Sequence, residues 1–347
     1  MKPLNIVSQT LRWEVLIGTG GVGSGIFMLL DGNQTLGREE SRGSRLLDQR
    51  DYCKLHIISH YVKMLLGPDF QVLPVSKVGA DETGQRLSRE MESAGLDTSI
   101  IRVDESRPSM YSVCFLYPDG SGCNLTTTNS ACGQMEADEI RTAIPAFARH
   151  AGRGIALAAP EVPLAARAEL LRLATEYHFF RVASFTAHEM VEALEIGLLG
   201  QVDLLAINLD EATALAGQTC TGSLPQSIAE AAHNKLLTLN PDMLVTITAG
   251  QHGSWAWDGL RHQFCPALPV TAISTAGAGD AFLAGLLCGL ASGLDLFEAQ
   301  SLGTLAAACS VTSPHTIHPT LDREALAQIA IETHMPLREK VTDLLGR

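Results

Sequence analysis

Residues 274–290 read STAGAGDAFLAGLLCGL: a glycine turn, Gly277-Ala278-Gly279, then Asp280, then Phe282, Leu283, Leu286, Leu287 and Leu290 at helical spacing. The apolar run just before it, PVTAIST, predicts a strand, so the stretch reads strand, glycine turn, helix. The N–H groups of such a turn and the positive end of the following helix point at one spot, which suits a transferring phosphoryl group. Asp280, in the first helical turn, would stand beside that spot. A carboxylate there can take the proton of an attacking hydroxyl while the amides stabilise charge on the phosphate. A plainer reading competes, in which Asp280 caps the helix and Gly277 and Gly279 only turn the chain.

Working outward, short β-rich runs alternate with helical stretches from residue 71 onward, the pattern of βαβ units and a mostly parallel sheet. FQVLPVSKVG predicts a strand, and DETGQRLSREMESAGL an amphipathic helix closed by Gly95. MYSVCFLY and CNLTTT flank Pro118-Asp119-Gly120, which predicts a hairpin able to serve as a lid. GIALAAP, FFRVASF, VDLLAINL, MLVTITAG and PVTAIST are expected to form the body of the sheet. Ligands gather at the carboxyl ends of such strands, next to Asn208, Gly250 and Asp280.

An earlier glycine cluster, VLIGTGGVGSG (residues 15–25), matches the dinucleotide fingerprint at Gly18, Gly20 and Gly23. That fingerprint needs a full helix and then a second buried strand. Here DGNQTLGREESRGSRLLDQRD follows, too charged for a buried strand, so nicotinamide chemistry is set aside. His56 and His60 have zinc spacing on one helix, but no third ligand accompanies them. Leu55, Ile58, Val62 and Leu65 mark the other face as core, so the histidines are expected to be exposed.

The 347 residues are 46% hydrophobic, enough for a large core, and the net charge of −13 argues against a phosphate-gripping nucleic-acid or membrane surface. A small-molecule partner is expected, with no nucleic acid and no membrane. Eight cysteines without a C-x-x-C pair read as buried thiols of a reducing cytoplasm. The opening MKPLNIVSQTLRWEV lacks a signal-peptide core, and no window is apolar enough to span a bilayer, so a cytoplasmic protein is expected.

Four motifs run in order along the chain: Gly79-x-Asp81-x-x-Gly84, Asn208-x-x-Glu211, Thr248-x-Gly250-x-x-Gly253 and Gly277-Ala278-Gly279-Asp280. With them the sequence resembles the ribokinase-like, or PfkB, carbohydrate kinase family. The resemblance implies one α/β domain over residues 1–347: a ribokinase-like sandwich with a mostly parallel central sheet flanked by helices. A small β lid would be drawn from about 19–50 and 108–128. It implies ATP and Mg2+ as cofactors and phosphorylation of a hydroxyl on a sugar or sugar-like acceptor. Asp280 would be the base and Gly277, Ala278 and Gly279 the anion hole. Asn208 and Glu211 would organise phosphate and magnesium, Glu211 through water, and Thr248, Gly250, Gly253 and Thr304 would line the nucleotide site. A homodimer through the lid is a further expectation. A surface role for Glu211 at a helix start remains open, as do a nucleoside kinase on the same fold and a catalytically silent sugar- or nucleotide-binding homologue.

The acceptor half departs from the family pattern. Where the family's first strand ends Gly-x-x-Asn-x-Asp, whose last acid holds sugar hydroxyls, this chain has Gly18-Thr-Gly-Gly21-Val-Gly23. The family's Gly-Gly-x-x-x-Asn helix start falls on Cys53-Lys54 and Ile58. Ser274 replaces the signature's first aspartate and Ala276 its usual threonine, so little dependence on potassium is expected. Gly20, Gly21 and Gly23, with Asn33, Arg42 and Lys54, are the candidate acceptor residues. Bare backbone N–H groups beside Arg38, Arg42, Arg45 and Lys54 predict an anionic group on the acceptor; a glycine turn under a solvated loop is the rival.

Overall fold

The computed structural model describes residues 2–6, 11–119, 122–217 and 224–346. In chain order come β1 (Val15–Thr19), β2 (Gly23–Leu30), β3 (Ser44–Tyr52), α1 (Lys54–Leu66), β4 (Gln71–Val75), β5 (Lys77–Gly79), α2 (Glu82–Ser93) and β6 (Arg102–Asp104). Then follow β7 (Met110–Leu116), β8 (Gly122–Thr126), α3 (Ala137–Ile140), α4 (Ile144–Arg149), β9 (Gly154–Ala158), α5 (Leu164–Glu176), β10 (Phe180–Ala183) and α6 (Met190–Glu195). The last part holds β11 (Leu204–Asn208), α7 (Leu209–Ala216), α8 (Pro225–Leu237), β12 (Leu244–Thr248), β13 (Ser254–Trp257), β14 (His262–Cys265), α9 (Ala278–Ala291), α10 (Leu296–Ser310), α11 (Arg323–Glu332) and α12 (Glu339–Leu344).

The central sheet runs β14-β13-β12-β11-β10-β9-β1-β4, parallel from β12 to β4 with antiparallel β13 and β14 at one edge. Both faces are covered, as a parallel sheet requires. Leu16, Ile155, Leu157 and Leu204 pack with α1, α2 and α9–α12, while Val15, Ile17, Ala156 and Leu205 pack with α3–α8. Strand alternation thus feeds two cores from one sheet.

A second sheet, ordered β3-β2-β7-β8, is built from the segments of which a lid is expected. β7 and β8 are the expected hairpin, antiparallel in register Val113 opposite Leu125. β3 shows that the segment too charged for a buried strand still forms a strand, at the edge of a sheet. Its charged sequence is tolerated because it pairs on one side only, with β2, leaving Arg45, Leu46, Leu47 and Arg50 exposed and turning Asp48 and Asp51 inward. Gly79-x-Asp81-x-x-Gly84 is a packing motif. Asp81 Oδ1 accepts from the Gly84 N–H (2.8 Å) to cap α2, and a Cβ on Gly84 would lie 2.2 Å from the Gly79 carbonyl oxygen.

Three further expectations are corrected. PVTAIST is not a strand: Pro266 and Pro269 lack N–H donors, and the N–H groups of Ile273 and Ser274 donate to the Val311 carbonyl instead of to a neighbouring strand. FQVLPVSKVG breaks at Ser76 into β4 and β5, which join different sheets. The histidines of α1 are not exposed: His56 is buried, its ring edge-on to Tyr52, and both line a groove between α1, α2 and β3. Burial drives His56 down to about 3 and His60 to about 4. No group of metal-ligating side chains occurs among the described residues. The thiols of Cys53, Cys114, Cys132, Cys265, Cys288 and Cys309 are buried as expected, but Cys123 on β8 is exposed. Among the described residues no helix is long and apolar enough to cross a membrane.

Candidate active site

Because β1 and β9–β12 run parallel, their carboxyl ends share one edge, and the chain leaves it at Gly20, Glu161, Ser184, Asn208 and Thr248. Along that edge lies a cleft of about 770 Å3, lined by Lys54, Ser184, Asn208, Glu211, Thr246, Thr248, Gly250, Gly253, Thr304 and Gly277–Asp280. Its size suits a nucleotide-sized ligand.

α9 points its amino end into this cleft. Gly277 is its N-cap, in the left-handed region at φ 76°, and no side chain caps the helix. The Ala278 N–H is shared with the Thr275 carbonyl at 3.3 Å, so Gly279 and Asp280 supply the open amides of the first turn. A Cβ on Gly279 would meet nothing within 4 Å, so its backbone borders open space. Asp280, in the first turn, is not the residue at the cap position. Burial pushes its carboxyl up, and Lys54 pulls it back down.

Asn208 and Glu211 form a capping box on α7. Asn208 Oδ1 accepts from the Glu211 N–H (2.9 Å), and Glu211 Oε2 accepts from the Asn208 N–H (2.8 Å). Glu211 is nevertheless 5% exposed, and its other oxygen, Oε1, lies 4.0 Å from Lys54 Nζ inside the cleft. Burial raises its carboxyl, opposed by Lys54. Burial also works against the Lys54 ammonium, yet Asp280, Glu211 and Glu161 together hold it above the ordinary lysine range.

Glu161 was not foreseen. It follows β9 with φ at 75°, and its Oε2 accepts from the Lys54 N–H (3.2 Å), closing the amino end of α1 where Cys53 offers no side-chain cap. Burial pushes its carboxyl up to about 7, with Lys54 opposing and Asp280 reinforcing. The available signal was a lone acid directly after the apolar run GIALAAP.

Thr248 ends β12, and Gly250 and Gly253 build the next turn at φ 53° and 86°. Thr304 lines the cleft from α10, its Oγ1 donating to the Gln300 carbonyl (2.9 Å). Gly20, Gly21 and Gly23 are buried and crowded. A Cβ would lie 2.7 Å from Ala159 at Gly20, 2.3 Å from Glu161 Oε2 at Gly21 and 2.8 Å from Cys53 Sγ at Gly23. Asn33 and Arg42 are not brought to the site. They lie past the far end of β2, an eight-residue strand spanning about 25 Å. There Asn33 Oδ1 accepts from the Asp119 N–H, and Arg42 pairs with Glu40 and the Gln34 carbonyl.

The cleft fits ATP and magnesium. The open amides of α9 suit phosphate, and Ser184 Oγ and Thr246 Oγ1 line the cleft buried, without hydrogen-bond partners among the described residues. Glu211 is a hard oxygen donor of the kind that holds magnesium together with waters and substrate phosphates.

A family model described as pfkB family carbohydrate kinase matches residues 60–323. Over 67 residues, 19% of this chain and 26% of the relative, the sequence is 46% identical to fructoselysine 6-kinase of Shigella flexneri. Over 142 residues, 40% of this chain and 42% of the relative, it is 34% identical to 1-phosphofructokinase of Rhodobacter capsulatus. The chain thus spans less than half the length of these curated relatives. Its fold is similar to that of ribokinase from Cryptococcus neoformans var. grubii serotype A in complex with ADP, with TM-score 0.72 and 19% identity, covering 91% of this chain and 99% of that one.

Proposed function

The chain belongs to the pfkB family of carbohydrate kinases, and from that premise we propose that it transfers the γ-phosphoryl group of ATP to a hydroxyl of a sugar or sugar-like acceptor. The observation that carries this reading is the uncapped amino end of α9, with Asp280 in its first turn, opening into the cleft at the sheet's carboxyl edge. Bound ATP and magnesium supply the phosphoryl group and the cation that offsets its charge. Asp280 accepts the acceptor's hydroxyl proton, and the amides of Gly279 and Asp280 hold charge on the phosphoryl oxygens. Asn208 and Glu211 orient the metal side, and Thr248, Gly250, Gly253 and Thr304 border the nucleotide. Lys54, between Glu211 and Asp280, meets the phosphoryl group as it passes to the acceptor.

ADP release measured over sugars, sugar phosphates and nucleosides tests this. A sugar should be the best acceptor, and Asp280→Asn should cut turnover at least ~100-fold while leaving ATP affinity in place. Near-normal turnover in that variant overturns the assignment of the base, and a nucleoside as best acceptor favours the nucleoside kinase reading. The six buried thiols fit a reducing compartment, so the cytoplasm is the proposed location. A homodimer through the outer face of the lid completes the proposal.

A further inference from the structure

We propose that the groove between α1, α2 and β3 is a second binding site, separate from the catalytic cleft, for a small organic anion with an aromatic or apolar body. The groove encloses about 920 Å3, room for a small molecule, and none of its described lining residues belongs to the cleft. One part of the lining is a row of rings. Tyr52, His56 and His60 follow one another at four-residue spacing from the end of β3 along α1, and Met64 continues the row. Tyr52 stands edge-on to His56, with 4.6 Å between ring centroids. Burial keeps both histidines neutral, so the row carries no charge. Ile317 and Pro319 add apolar surface from the segment after α10.

The charges of the groove leave a positive balance. Both of its acids are engaged within the chain: Glu90 accepts from Arg86 Nη1 (3.1 Å to each oxygen) and from the Tyr52 hydroxyl (3.0 Å), and Asp48 Oδ2 lies 2.7 Å from His315 Nδ1. Arg50 and Arg89 also line the groove, are exposed, and form no ion pair among the described residues. In a chain of net charge −13, two uncommitted guanidinium groups on one groove suit an anion, which they can hold by charge-assisted hydrogen bonds. A second, independent observation is His56. It is 1% exposed and lines the groove, yet its Nδ1 has no hydrogen-bond partner among the described residues. Buried polar atoms are paired as a rule. Exposed arginines alone would describe a solvated rim; an orphaned ring nitrogen at a cavity of ligand size does not fit that description, and a polar group on a ligand would give it a partner.

The probe is 2-naphthyl phosphate, titrated calorimetrically into the full chain. 2-Naphthol presents the same body without the charge, and inorganic phosphate the charge without the body. The wild type should bind naphthyl phosphate at least ~10-fold more tightly than either. Two groove variants should each weaken it by ~10-fold or more with the melting temperature unchanged. One is Arg50→Glu with Arg89→Glu, at two exposed positions; the other is Ser93→Trp, which fills the groove from an exposed position on α2. Gly279→Glu places an acid in the open space of the catalytic cleft and should leave the probe's affinity as it was. No binding by the wild type overturns the inference, as does equal binding of naphthol or of inorganic phosphate. Affinity lost in Gly279→Glu but kept in the groove variants places the probe in the cleft and overturns it too, and none of these results bears on the kinase reading.

Discussion

At Glu161 the backbone holds φ at 75°, a conformation that costs an L-residue about 1–3 kcal/mol, and the carboxylate of this half-buried residue lies beside Gly21 and the start of α1. Its carboxyl moves from the ordinary 4.5 to about 7 on folding. The folded chain therefore binds this proton more tightly than the unfolded one. The stability linked to it is present in full below about 4.5 and is lost as pH rises through about 7. Glu161→Gln should be penalised least at high pH, so its melting temperature should gain on the wild type as pH rises across that window. Parallel melting curves for the two proteins would refute the shift. Asp280 was legible because its neighbours Gly277 and Gly279 are also its neighbours in sequence. Glu161 was not, because Lys54, which gives it its surroundings, lies far away along the chain.

At the scale of elements, the helix start at α9 was legible and the segment before it was not. PVTAIST has β-branched residues in plenty, but its flanking prolines and its tie to Val311 leave it as an extended wall of the cleft. β3 shows the converse: a nine-residue stretch with four charged side chains forms a strand because β2 offers a free edge and only one side of β3 needs to be dry. The loop into α9 is closed locally, with Ser274 Oγ accepting from the Ala276 N–H at 3.3 Å. With a hydroxyl and a methyl in place of two longer oxygen-bearing side chains, this loop makes a poor seat for a monovalent cation. Steady-state rates in potassium, sodium and a bulky organic cation at equal ionic strength should agree. A saturable potassium requirement would contradict this.

At the scale of the molecule, the four-stranded sheet has two unlike faces, one that buries Phe27, Asp51 and Cys114 and one that is half open. Two cross-strand rows, Leu46-Met28-Phe115 and Ile26-Val113-Leu125, lie on the outer face, with Leu46 50% and Leu125 65% exposed. A second copy laid against those rows would cover them, so light scattering during size exclusion should report a dimer, and Leu46→Glu with Leu125→Glu should yield monomers that keep their fold. A monomeric wild type would rule this interface out. The same inside–outside division governs how the protein meets oxidants. The reactive form of cysteine is the thiolate. Burial pushes the Cys114 and Cys53 thiols far up and Cys132 to about 11, so these buried sulfurs are poor nucleophiles, whereas Cys123 stands exposed on the outer rows opposite Phe115. Peroxide or an alkylating reagent should therefore mark Cys123, on the open face of the small sheet, before it reaches any of the buried thiols.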